Sequence, residues 1–92
     1  MRSKMKPSKR LDSLRKEVDR IDREILNMLQ RRFFATKKIQ LTKEEEKLPL
    51  IQEKRETEIL SNLQVLSTKK KLPFSLIKLI YRGIFEFSRK KW

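Results

Sequence analysis

The chain has 92 residues, with 25 Lys and Arg against 12 Asp and Glu, a formal net charge of +13, no Cys, no His and a single Gly. A chain of this length with 37% apolar residues makes one domain with a modest core. The missing Cys and His exclude thiol nucleophiles, disulfides, the usual zinc sites and an imidazole base, and the lone Gly83 excludes the glycine-rich loops that cradle nucleotide phosphates.

The first ten residues carry Arg2, Lys4, Lys6, Lys9 and Arg10 and no acid. Residues 1–8 read as a basic N-terminal tail and 9–92 as one helical domain. From Leu11 onward apolar residues recur at helical spacing: Leu11, Leu14, Val18, Ile21, Ile25, Met28, then Ala35 and Ile39. This spacing predicts one amphipathic helix over roughly 9–45, with Ser8 or Asp12 as its cap. About 35 helical residues span about 50 Å. A compact 92-residue globule has a radius of gyration of only about 13 Å, so this helix is too long for a monomer to cover.

Pro49 ends that segment after the Glu44–Lys47 charge run. A second helix is expected from Leu50 or Ile51 to Ser67, with Ile59, Leu60, Leu63 and Leu66 on its apolar face. The polar connector Ser67–Lys71 leads to Pro73, whose fixed φ suits the first turn of a third helix running to the C-terminus. That helix carries Leu76, Ile77, Ile80, Tyr81, Ile84, Phe85 and Phe87 as a broad apolar face. The expected fold class is therefore all-α, a three-helix protomer with one long and two shorter helices. Since such unequal helices make no symmetric monomeric bundle, an intertwined homodimer with antiparallel long helices is the expected assembly.

The surplus charge suggests nucleic acid at first sight, but eleven of the thirteen charges lie in residues 1–10, in Lys69–Lys71 and in Arg89–Lys91. The remaining body is nearly balanced, which disfavours nucleic acid as a partner. No apolar run approaches the ~18 residues of a membrane span. The expectation is a soluble cytoplasmic protein with no membrane partner.

Polar residues on the apolar faces carry the chemical signal. The heptad through Met28 reaches Arg32 before Ala35, Arg15 borders the same seam, and Lys43 lies four residues after Ile39. Stepping back from Leu63 and Ile59 on the second helix gives Arg55 or Glu56 and then Gln52. On the third, Ile84 is followed at i+4 steps by Ser88 and Trp92. Taken singly, each reads as a solvated charge or an ordinary helix residue. Together they fit one internal cationic pocket with a single acid, suited to a small polyanion gripped by guanidinium forks. No two candidate carboxylates face each other and no His is present, so any catalysis there would have to work by conformational restraint and electrostatic stabilisation.

The run Leu14-Arg15-Lys16-Glu17-Val18-Asp19-Arg20-Ile21-Asp22, then Met28-Leu29-Gln30-Arg31-Arg32, Lys43, Pro49, Lys54-Arg55-Glu56 and Ser88 resembles the all-helical chorismate mutases. The likeness extends without gaps from about Leu11 to Trp92. It implies an intertwined dimer with two equivalent sites that convert chorismate to prephenate in aromatic amino-acid biosynthesis, without cofactor or metal. It further implies that Arg32 and, from the other protomer, Arg15 grip the two substrate carboxylates. Lys43 would donate to the ether oxygen, Glu56 would bind the ring hydroxyl, Arg55 would shape that side and Ser88 would contact a carboxylate. Two positions depart from the family pattern. Gln52 stands where Asp is frequent, and Trp92 stands where Gln or Glu is the second group on the ether oxygen. Two other readings remain beside it: an isochorismate pyruvate lyase on the same fold, and a non-catalytic regulatory or binding module.

Overall fold

A computed structural model describes residues 7–49 and 53–90. It contains three helices, α1 (Pro7–Glu45), α2 (Glu53–Lys69) and α3 (Phe74–Arg89), and the described residues contain no strand. The all-α expectation holds. Helix α1 begins two residues before the expected start, because a proline's missing N–H costs nothing in a first helical turn. Ser8 and Asp12, expected as caps, lie inside α1 instead. Pro73 stands just before α3 as its N-cap residue, with φ −66° and ψ 126°. The expectation that the third helix runs to the C-terminus is corrected: Lys90 turns extended, with ψ 148°, and α3 ends at Arg89.

The ends of α1 and α2 are built alike, on the sequence Lys-Leu-Pro. Lys47 and Lys71 take left-handed conformations, with φ of 58° and 59°. At each, two backbone bonds close the helix. The Leu48 N–H donates to the Lys43 carbonyl (2.7 Å) and the Lys47 N–H to that of Glu44 (3.2 Å). At the second, Leu72 N–H donates to the Ser67 carbonyl (2.9 Å) and Lys71 N–H to that of Thr68 (3.2 Å). The last carbonyls are thus satisfied by the chain itself, and Pro49 and Pro73 follow at once, preventing continuation.

The chain divides into two units, Met1–Ala35 and Thr36–Trp92, with the boundary inside α1. Within the second unit α2 and α3 pack as a helical hairpin across the connector Lys70–Pro73. Its core is Ile84 and Phe85, both buried, with Tyr81 set edge-on to Phe85 (ring centroids 5.9 Å apart, planes at 66°). Half-buried Ile59, Leu60 and Leu63 of α2 and Ile77 of α3 surround them. The broad apolar face of α3 therefore splits in two: Ile77, Tyr81, Ile84 and Phe85 turn inward, while Leu76 and Ile80 on the other flank stay exposed.

In the first unit the stripe Leu11, Leu14, Val18, Ile21, Ile25 and Met28 is 45% to 59% exposed. Six large apolar side chains at helical spacing thus stay about half exposed along one stripe of the first unit. No helix among the described residues is long and apolar enough to cross a membrane.

Candidate functional site

The chemically informative residues of the second unit converge on the last turn of α3. From α1, the Gln40 side-chain amide donates to the Ser88 carbonyl. Lys43 sits three residues beyond Gln40 on the same face of that helix, as i and i+3 positions do. From α2, the Glu56 carboxylate pairs with the Arg89 guanidinium of α3. Glu56 and Ser88, two residues that sequence spacing singles out, are therefore brought to one end of the second unit by these contacts, and Lys43 lies one turn along α1 from Gln40.

The polar groups here are incompletely satisfied. Among the described residues two polar ones are buried, Ser67 and Ser88. The Ser67 hydroxyl donates back to the Leu63 carbonyl one turn earlier, at 2.6 Å. Ser88 Oγ makes no hydrogen bond, although it is shut off from solvent. A buried hydroxyl without a partner costs about 1–3 kcal/mol, so its retention calls for a ligand or a partner group. Lys43 is half-buried, and its ammonium has no ion-pair or hydrogen-bond partner among the described residues. A half-buried cation and a buried hydroxyl, both with unused donors, suit an anionic ligand rich in oxygen.

Arg55 behaves differently. It reaches only Glu58, three residues along α2, at 3.5 Å, with both side chains more than half exposed. In the free protomer it is a surface pair of little energetic weight. Arg15 is exposed and Arg32 half-buried, both on the part of α1 in the first unit. Gln52 and Trp92, both expected at the site, lie outside the described residues. The 680 Å³ open groove along α2, lined by Lys54, Thr57, Glu58, Ser61 and Asn62, contains none of the expected site residues.

Sequence reasoning missed two participants. Arg89 counted among the solvating C-terminal charges, yet it is the last helical residue of α3 and holds Glu56. The signal was present, since Arg89 follows Phe85 by one helical turn and so borders the buried face. Gln40 precedes Lys43 by the same spacing along α1, and reads as an ordinary polar residue until its partner, a backbone carbonyl 48 residues away, is known.

An all-helical chain with a cationic, carboxylate-poor site of this kind matches one family model, chorismate mutase type II, over residues 14–91. The chain belongs to the chorismate mutase type II family. Comparison with curated proteins and with solved structures gave no match.

Proposed function

We propose that this chain is a chorismate mutase, acting as a homodimer on the dianion chorismate. The observation that carries the reading is family membership over residues 14–91, supported by a half-buried, unpaired Lys43 one turn along α1 from the residue that bonds the Ser88 carbonyl, and by the buried, unpaired Ser88 hydroxyl. The reaction is intramolecular. One ether C–O bond breaks, one C–C bond forms and the double bonds shift, with no proton, electron or group exchanged with the protein. Such a step needs no nucleophile or base, in keeping with a chain that has neither Cys nor His.

Its barrier is lowered in two ways. Arg32, together with Arg15 reaching over from the partner, holds the two carboxylates so that the substrate stays folded with its reacting carbons in contact. Lys43 donates to the ether oxygen, where negative charge builds as the C–O bond lengthens. In a desolvated site this donation is worth far more than in water. Glu56 accepts from the ring hydroxyl, with Gln52 and Arg55 alongside, Ser88 donates to a carboxylate, and Trp92 offers its indole N–H near the ether oxygen. Dimerisation is supported by the exposed stripe from Leu11 to Met28, since two buried apolar side chains among the described residues make a small core for a stable protomer.

The test is direct. Purified protein mixed with chorismate should consume the substrate's diene absorbance far faster than the spontaneous reaction and yield prephenate. No rate above background would refute the proposal. The same protein offered isochorismate separates the sister chemistry: release of salicylate and pyruvate, with no turnover of chorismate, would make it a lyase, the alternative that Trp92 keeps open.

A further inference from the structure

We propose that Arg89 is a positioning residue for the Glu56 carboxylate, holding it ready for the ligand's hydroxyl group; the inference rests on the mutase reading above. Glu56 leaves α2 with three rotatable bonds, and its nearest cation in sequence, Arg55, is engaged with Glu58 instead. What holds Glu56 comes from across the hairpin, where the Arg89 guanidinium takes Oε1. The pair is partly withdrawn from solvent, with side-chain exposures of 42% for Arg89 and 26% for Glu56. An ionised carboxylate has about four acceptor positions on two oxygens. Engagement of Oε1 by one guanidinium nitrogen restrains the carboxylate and leaves Oε2 to receive a ligand O–H.

Arg89 can do this because its own backbone is braced. The residue before it, Ser88, has its carbonyl tied to Gln40 on α1. The residue after it, Lys90, donates its N–H to the Phe87 carbonyl at 3.1 Å and closes the helix. The guanidinium thus projects from a turn held at both sides, and its planar fork loses little freedom on pairing. A side chain that must be placed within a fraction of an ångström gains from support fixed in this way.

The experiment measures kcat and KM for chorismate in the full chain for the wild type, Arg89→Ala, Arg89→Lys, Glu56→Gln and the double variant Arg89→Ala/Glu56→Gln, with a thermal melt of each. Arg89→Ala should lower kcat/KM by about 10- to 100-fold, the scale of a misplaced contact, with its melting temperature little changed. Arg89→Lys, which keeps the charge and loses the fork, should recover only part of it. Because Arg89 acts through Glu56, the double variant should be no slower than Glu56→Gln alone. Activity of Arg89→Ala within twofold of wild type would overturn the assignment, as would additive losses in the double variant. A wild type with no turnover overturns the mutase reading itself, and the role of Arg89 with it.

Discussion

Replacing Lys43 by Met separates a residue kept for chemistry from one kept for structure. Its ammonium is half-buried with no partner among the described residues, in a chain of net charge +13, so no contact within the protomer depends on its charge. Methionine keeps most of the aliphatic stem and removes the charge. Stability should therefore stay within about 0.5 kcal/mol of wild type or rise, a shift of no more than about 4 °C for a chain of this size. Turnover should fall steeply. A preorganised donor at the atom where negative charge develops is worth about 10²–10³ in kcat, or about 2.7–4 kcal/mol. The assay follows chorismate consumption to give kcat and KM separately, with melts in the same buffer. A loss of less than about tenfold in kcat, or a melting temperature lowered by more than about 8 °C, would refute the reasoning.

Three further outcomes follow from features of the fold. Ser88→Ala removes a buried hydroxyl that has no partner, so stability should hold or rise by up to about 1 kcal/mol while KM for chorismate rises about tenfold; a lower melting temperature with unchanged KM would contradict the site role. Lys71→Gly relieves a side chain held at φ 59° and should stabilise by about 1 kcal/mol in a thermal melt, whereas destabilisation would mean that the lysine itself supports the turn. Ile21→Lys places a charge in the exposed α1 stripe, where each isoleucine buried on assembly contributes about 1.5–3 kcal/mol. Sedimentation at micromolar concentration should then give protomer where the wild type gives dimer, and a dimeric variant would move the interface elsewhere.

Helix number, the end of α1 and the start of α3 were legible because the apolar spacing and Pro49 and Pro73 act locally, whereas the end of α2 lies two residues past Ser67 and α3 stops at Arg89. The end of α1 at Glu45 falls where Pro49 and the charge run place it. The two faces of α3 were not legible: Leu76 and Ile77 are equally apolar, and only the position of α2 decides which turns inward. At the candidate site, Lys43, Glu56 and Ser88 stood out as polar residues on apolar stripes. Arg89 did not, since its spacing one turn after Phe85 is masked by the run of cations it begins with Lys90 and Lys91, and its partner lies 33 residues away. Arg55 shows the reverse, for its neighbour Glu58 satisfies it locally before any tertiary contact is made.

The twin Lys-Leu-Pro stops also bear on the order in which the molecule assembles. Each is closed by backbone bonds spanning no more than six residues, so helix boundaries need no tertiary contact to form. Between α2 and α3 only four residues, Lys70–Pro73, must close, and short loops close at small entropic cost and high rate. The hairpin can therefore form early and at a rate independent of concentration. In the proposed homodimer a second copy covers the apolar stripe of α1, a bimolecular event, so the slow phase of refolding should quicken as protein concentration is raised.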